Sequence, residues 1–286
     1  MRIGAALVAG ALLALAACGR AEHAWPPPSP ALWEVSGPAG RQAWLFGTVH
    51  ALPKGMNWRT GKVDDALARS SVLVVEIADL NDTEAARSAF YRLSSTPRQP
   101  PLTQRVPPAA RTAVLALLKR AGVGDESFPE TETWGAAMIL ANRVSRADPA
   151  NGVDGALIAG ARRVEGLETF AQQYGVFDAL PPGDQADLLL ALAKEAAGEA
   201  EDKEATEWLT GDLAGLERGS AAGVLADPDL REALQAARNR RWADRIDKLL
   251  EAHEQPFVAV GEGHMFGDEN LPALLKARGY TVHRVQ

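Results

Sequence analysis

The chain has 286 residues, of which 30 are lysine or arginine and 37 are aspartate or glutamate, so its formal net charge is −7 at pH 7. An acidic balance of this kind argues against nucleic acid and anionic lipid surfaces as partners. The length suffices for one large domain with a substantial hydrophobic core, and the single cysteine excludes an internal disulfide.

The first residues predict export. Residues 1–17 contain one arginine followed by an uncharged run of alanine, leucine, valine and glycine, which is typical of a secretory signal peptide. Residues 15–19 (LAACG) resemble the lipobox of bacterial lipoproteins, which predicts cleavage before Cys18 and acylation of that cysteine; a chance cysteine in a plain signal peptide is the alternative. We therefore expect a lipid anchor on the periplasmic side of the cell envelope. The outer membrane is favoured because Gly19 is not an acidic retention signal.

Strand and helix patterns alternate after a proline-rich segment, residues 18–30, that predicts an extended tether. The predicted domain spans residues 31–286. It opens with two apolar runs around a Gly-Pro-Ala-Gly turn, a β-hairpin pattern, and alternation follows, which implies a parallel sheet with right-handed crossovers. The predicted elements are strands at 32–36 and 43–48, a helix near 62–68, a strand at 72–79 and a helix near 83–93.

The middle of the chain has mostly helical periodicity, which predicts a helical insertion at about 107–230. Its predicted helices are 109–121, 133–144, 153–162, 171–180, 184–197 and 204–216, with one strand at 163–167. A long helix over 230–252 then leads to an apolar strand that starts at residue 256. We expect a helix at 271–278, capped by Asp268 and ended by Gly279, and a last strand at 280–285.

Two Gly-x-x-His sequences, residues 47–50 and 261–264, end apolar runs near opposite ends of the chain. Residues just past the carboxyl ends of parallel strands line the crevice where α/β sheets bind ligands, so we predict that His50 and His264 face one site. One copy would be an unspecific pattern, because glycine often ends strands. The other histidines, His23, His253 and His283, lack this context and are interpreted as solvated or structural.

Glu76 interrupts the apolar strand predicted at 72–79, and burying an unpaired carboxylate is costly. Either a salt bridge with an arginine, or a role as metal ligand or general base, accounts for it. Two imidazoles and one carboxylate match the ligands of zinc, manganese, cobalt or non-haem iron, with positions left for water and substrate. A metal site of His50, Glu76 and His264 is therefore our hypothesis, and the metal is left open.

The order of several short motifs resembles the TraB/GumN family, and the resemblance covers nearly the whole chain after the signal peptide. The motifs are 45–50 (LFGTVH), 74–76 (VVE), 152–154 (GVD), 166–169 (GLET) with Gln172, Arg238 with Asn239, 260–264 (VGEGH) and 279–282 (GYTV). The related Tiki proteins are metal-dependent proteases, and the wider clan includes the erythromycin esterases and the ChaN haem-binding lipoproteins. The fold that this implies is α/β (α+β), with a small central, mostly parallel sheet built from two βα halves around a large helical insertion.

The resemblance also implies roles for particular residues. His50, Glu76 and His264 would hold a divalent metal (manganese, cobalt or zinc), with Glu76 also acting in acid–base chemistry. Arg238 and Asn239 would contact the substrate or the transition state. No role follows for Glu168 and Gln172. Glu262 stands where relatives often carry a small residue, and its carboxylate is either a further ligand or directed to solvent.

The expected function is a membrane-tethered, periplasmic, metal-dependent hydrolase, in the first instance a peptidase acting on a peptide or protein substrate. The chain has no His-Glu-x-x-His helix, so the expectation depends on the family resemblance and on the strand-end pattern. Two alternatives stay open: a non-catalytic lipoprotein that binds a peptide, haem or metal, and an envelope or polysaccharide-assembly factor. Whether the protein is an enzyme is therefore left undecided by the sequence.

Overall fold

The computed structural model of the protein describes residues 24–145, 147–195 and 200–286. The predicted signal peptide, Cys18 and the first part of the predicted tether lie outside these ranges. Within them, no helix is both long and apolar enough to cross a membrane. Residues 24–30 have no regular secondary structure, and their end lies against the domain: the Ser29 amide donates to the Leu209 carbonyl (2.7 Å), and the Gln286 side chain donates to the Pro30 carbonyl (2.9 Å).

One mixed sheet forms the centre of the described domain, with the strand order β4-β3-β5-β2-β1-β6. Strands β4, β3, β5 and β2 are parallel, whereas β1 is antiparallel to both β2 and β6, so the predicted mostly parallel sheet and opening hairpin are confirmed. The strands are β1 (Leu32–Ser36), β2 (Gln42–Thr48), β3 (Val72–Val75), β4 (Val164–Gly166), β5 (Pro256–Gly261) and β6 (Thr281–Arg284).

Helices follow the predicted order, and most of them fall in the predicted insertion. They are α1 (Gly61–Arg69), α2 (Thr83–Ser94), α3 (Arg111–Ala121), α4 (Thr133–Val144), α5 (Val153–Gly160), α6 (Phe170–Asp178), α7 (Pro182–Glu195), α8 (Ala200–Thr210), α9 (Leu213–Ser220), α10 (Pro228–Arg231), α11 (Ala237–Glu251) and α12 (Leu271–Ala277). The α/β class with a helical insertion is therefore confirmed.

Several local predictions were wrong. Strand β3 ends at Val75, so Glu76 lies one residue beyond the strand and not within it. The single helix predicted at 204–216 is two helices, because Gly211 between them adopts a left-handed conformation (φ +68°). Helix α12 is capped by the Asn270 side chain, which accepts from the Ala273 amide, and not by Asp268.

Both faces of the sheet are buried at its centre, which is why the central strands β2, β3 and β5 are mostly apolar. Val258 and Val260 face one layer, which includes Trp242 and Ile246 of α11, whereas Phe257 and Ala259 face the other, which includes Phe46 and Trp208. A third core lies within the helical insertion and contains Trp134, Leu140 and Leu189. With both faces of the sheet covered, its carboxyl edge is left for polar side chains.

Candidate functional site

Three polar side chains meet where the parallel strands β2, β3 and β5 end. His50 follows β2, Glu76 follows β3, and His264 lies in the 3₁₀ turn Glu262–Met265 that follows β5. All three surround Gly261: a Cβ atom placed on this glycine would lie 3.2 Å from Glu76 Oε1, 3.8 Å from His264 Cδ2 and 3.9 Å from His50 Nε2. The structure therefore brings together the residues that the strand-end pattern singled out.

Glu76 is a buried carboxylate with a dense set of hydrogen-bond donors. Its Oε2 accepts from Arg238 Nη2 (2.6 Å) and Gln173 Nε2 (2.9 Å), and its Oε1 accepts from the Gly261 amide (2.8 Å). Burial alone would raise the pKa of Glu76, but the positive charges of His264 (protonated at the acid pH where Glu76 titrates), Arg238 and His50 lower it. Together with the Gly261 amide hydrogen bond, they hold it well below its usual range. The salt bridge considered from the sequence is thus present, and it keeps the carboxylate ionised.

Arg238 lies between two buried carboxylates. Besides Glu76, its Nη2 donates to Glu168 Oε2 (2.8 Å) and its Nε lies 3.1 Å from Glu168 Oε1, while the guanidinium stacks on Trp242 at 4.5 Å from the ring centroid. Glu168, for which the sequence offered no role, is therefore the second counter-ion of Arg238. Gln172 has a local role, since it completes the capping box at the start of α6 with Thr169.

His264 is fixed by Asn239. Its Nδ1 lies 2.6 Å from Asn239 Oδ1, and Asn239 Nδ2 donates to the Glu269 carbonyl (2.8 Å), which orients the amide. Nδ1 therefore carries the proton, and the lone pair of Nε2 faces Arg238 Nη1 at 3.4 Å. Burial lowers the pKa of His264 to about 3, so the ring is neutral at physiological pH. Asn239 is fully buried, and both of its side-chain polar atoms are hydrogen-bonded within the protein.

His50 lies at the mouth of the site with 67% of its side chain exposed, and it is held by Asp154. Its Nδ1 lies 2.9 Å from Asp154 Oδ2, while Asp154 Oδ1 accepts from the Thr48 hydroxyl (2.8 Å). The hydrogen bond to Asp154 raises the pKa of His50 to about 9. Gly152 allows this contact, because a Cβ atom there would lie 2.4 Å from the His50 carbonyl oxygen.

Glu262 is half-buried beside Gly47 and shares a small cavity with Trp208 and Met265. Burial raises the pKa of Glu262 to about 8, and the negative charge of Glu204 acts in the same direction. Near neutral pH, Glu262 is therefore mainly protonated and adds little negative charge to this part of the site.

The chemistry of the donor atoms fits a divalent metal, although the donors are spread. Each histidine has Nδ1 held by an oxygen atom, so Nε2 would be the metal-binding atom, as in most metal-binding histidines. His50, with a pKa of about 9, would have to lose a proton to bind. His264 Nε2 and Glu76 Oε1 are 4.0 Å apart, whereas ligands of a tetrahedral metal are about 3.3 Å apart. In the described ranges, no group of three or more His, Cys, Asp or Glu side chains is arranged as a metal site.

Two contributors to the site were not predicted from the sequence. Asp154 belongs to the Gly-Val-Asp motif, so a signal existed, but its partner His50 lies 104 residues away in the chain. Gln173 had no signal, because a glutamine on a helix is ordinary and its contact with Glu76 spans 97 residues.

The candidate site thus consists of two histidines and a buried carboxylate at the strand ends of a mixed sheet that carries a helical insertion. A family model described as the TraB/PrgY/gumN family matches residues 31–284. The chain therefore belongs to the TraB/PrgY/gumN family, which confirms the resemblance drawn from the motifs. No curated protein and no solved structure matches it.

Proposed function

We propose that this protein is a metal-dependent hydrolase of peptide bonds, anchored through acylated Cys18 on the periplasmic side of the cell envelope, with the outer membrane favoured. The observation that carries the catalytic part is the meeting of His50, Glu76 and His264 around Gly261, with both histidines oriented through Nδ1. Family membership supports the same assignment. The lipobox-like residues 15–19 support the anchor.

His50, Glu76 and His264 would hold the metal, for which manganese, cobalt and zinc are the candidates. When bound, such a metal lowers the pKa of a water molecule and polarises a carbonyl group. Glu76 suits the role of ligand better than that of proton acceptor, since a carboxylate whose pKa is held low is a weak base.

The remaining residues position these groups and stabilise charge. Arg238 Nη1 lies 3.4 Å from His264 Nε2, so its positive charge is at hand for a substrate oxygen that becomes negative. Asn239 and Asp154 act as positioning residues, because each fixes the tautomer and ring orientation of one histidine. For Asn239 we propose this orienting role in place of the substrate contact expected from the sequence.

The test uses the full chain purified in detergent and loaded with manganese, cobalt, zinc or EDTA. We expect about one bound metal per chain and metal-dependent cleavage of peptides from a mixed library, read by mass spectrometry. Both should be lost in His50→Ala and in His264→Ala. The matched control is His283→Ala, an exposed histidine in β6, which should retain both.

Other outcomes decide against the proposal in distinct ways. Metal binding without cleavage of any peptide would favour a non-catalytic lipoprotein that binds a peptide, haem or metal. Absence of metal binding would overturn the metal site and favour the assembly-factor alternative. Separately, Cys18→Ala should abolish incorporation of labelled fatty acid in cells. If the variant still incorporates the fatty acid, the lipid anchor at Cys18 is disproved.

A further inference from the structure

A second cavity lies beside the buried Arg238–Glu168 pair, between helices α6 and α11. Its volume is about 470 Å³. Helix α11 contributes Arg241, Trp242 and Arg245, α6 contributes Gln172, and Glu168 lies in the wall. Neither the fold nor the proposed peptide-bond chemistry accounts for this combination of groups.

The polar groups of the cavity are mostly hydrogen-bond donors. Arg241 and Arg245 are 57% and 50% exposed and bring two positive charges. Arg245 is bound to Glu165 (2.7 Å), whereas Arg241 reaches Glu168 only at 3.5 Å. Glu168 offers little to a cationic ligand, because both of its oxygen atoms are bound to Arg238.

Trp242, which lines the cavity, has a buried hydrogen-bond donor without an acceptor in the part of the chain that the structure describes. The indole nitrogen of Trp242 has no hydrogen-bond partner among the described residues, although the side chain is only 2% exposed. A buried N–H without an acceptor costs stability, and such groups in native proteins call for an explanation. Because this nitrogen is buried and Trp242 lines the cavity, its NMR signal reports a change in the cavity wall and not direct contact with a ligand.

We propose that this cavity binds a carboxylate group. A planar carboxylate accepts two parallel hydrogen bonds from a guanidinium, and Arg241 is the arginine of the cavity that lacks a close acidic partner. The carboxylate of an acidic side chain and that of a peptide carboxyl terminus share this chemistry.

The cavity is connected to the site around Gly261 by a chain of charged contacts. Arg241 contacts Glu168, Glu168 binds Arg238, and Arg238 binds Glu76. A carboxylate bound at Arg241 would therefore place the rest of a peptide beside the buried ion pairs. Use of the cavity as a substrate subsite depends on the proposed hydrolase function, whereas binding itself does not.

Binding can be read without turnover from the indole ¹H–¹⁵N signal of Trp242, assigned by its loss in Trp242→Phe. The full chain is titrated with N-acetylglutamate α-amide, which carries only a side-chain carboxylate, with N-acetylalanine, which carries only a terminal one, and with neutral N-acetylglutamine amide. We expect a saturable shift with at least one of the carboxylates and none with the neutral compound. The carboxylate that saturates at lower concentration identifies the source.

A matched pair of variants tests the role of Arg241. Arg241→Gln should weaken carboxylate binding about tenfold or more, since it removes a charge-assisted contact. Arg240→Gln removes the same charge one residue earlier, from an arginine that binds Glu232 and Glu269 and does not line the cavity, and should bind as wild type.

The proposal is overturned if no carboxylate shifts the signal, if the neutral compound shifts it equally, or if Arg241→Gln binds as tightly as wild type. A saturable shift in a protein that cleaves no peptide would refute the hydrolase function and leave the carboxylate site standing. Cleavage of a peptide without such a shift would refute the carboxylate site and leave the hydrolase function standing.

Discussion

Arg238 is the residue on which the charge balance of the site depends. It is buried, and it is the cation that compensates two buried carboxylates, Glu76 and Glu168. Buried ion pairs of this kind contribute little net stability, but removing one partner leaves an uncompensated charge. Arg238 therefore serves both the fold and the ionisation of Glu76.

Arg238→Met should lower the free energy of unfolding by about 3–5 kcal/mol, because Glu76 and Glu168 are left buried without their cation. Burial disfavours the ionised form of such carboxyls, so the loss should shrink as the pH is lowered. Urea unfolding at about pH 8 and at about pH 5 measures both effects. Arg240→Met, which removes an exposed arginine, should have a much smaller effect, and an equal effect would refute the argument.

The ion pair of His50 and Asp154 should be visible in a titration. We expect the C2 proton of His50 to titrate near pH 9 in the wild type and near the ordinary value, about 6.5, in Asp154→Asn. Because the pKa of His50 is raised in the folded state, the pair stabilises the fold below about pH 6.5, and this contribution is lost as the pH rises through about 9. An unchanged midpoint in Asp154→Asn, measured by NMR, would contradict the assignment.

At this scale the sequence predicted the side chains that meet at the strand ends better than their partners. His50, Glu76 and His264 follow apolar runs, and a strand end is a local signal. The contacts that tune them are not local. Asp154, Gln173 and Asn239 reach their partners only after α5, α6 and α11 have packed onto the sheet.

At the scale of elements, the turn after β5 lets Glu76 and the two histidines approach one another because Gly261 has no side chain. Neither Gly261 nor Gly263 has a positive φ, so backbone strain is not the reason for glycine. At Gly261 the reason is space, since Glu76 Oε1 lies 3.2 Å from where a Cβ would be. A Cβ placed on Gly263 would have no described atom within 4 Å, apart from its neighbours in the chain.

Gly261→Ala should keep the fold with a loss of about 1–3 kcal/mol, while displacing Glu76 from the histidines and abolishing metal binding. Gly263→Ala, two residues along the same turn, should leave stability and metal binding unchanged. Thermal unfolding together with metal titration distinguishes the two variants. Metal affinity in Gly261→Ala equal to that of wild type would show that the three side chains do not act together.

Helix α11 shows why the presence of a helix was predicted better than the direction in which its side chains face. The apolar pattern predicted one helix over 230–252, but a π-helical turn at Glu232–Ala236 precedes α11. The Gln235 side chain within this turn donates to the Gly263 and Phe266 carbonyls. The extra residue of a π turn rotates the next helical residues about the axis, including Arg238 and Asn239, and hydrophobic periodicity does not reveal it.

At the scale of the whole molecule, one part of the helical insertion, made of α3, α4 and α7, has a core separate from those on the sheet. Trp242 and Phe257 belong to the layers on the sheet, whereas Leu189 of α7 belongs to the insertion. Separate cores of this kind often unfold as separate cooperative units. The sequence predicted the insertion from its helical periodicity, but not that α3, α4 and α7 face one another while α5, α8 and α9 pack on the sheet.

Leu189→Ala should therefore loosen the insertion more than the sheet. We expect a loss of about 2–5 kcal/mol for this fully buried leucine. In hydrogen exchange read by mass spectrometry, peptides from α3, α4 and α7 should exchange faster, while peptides from β5 keep their protection. Uniformly faster exchange throughout the domain would show instead that the protein opens as one unit.

The strand order gives the protein a built-in delay. Strand β5 lies between β3 and β2 in the sheet, yet it follows both of them late in the chain and carries His264 at its end. A chain that is threaded across a membrane amino end first delivers His50 and Glu76 long before the strand that joins them. Long-range pairing of this kind is also slow to form. A hydrolase with this strand order would be inactive during translocation, because its catalytic site would form only after β5 has paired with β2 and β3.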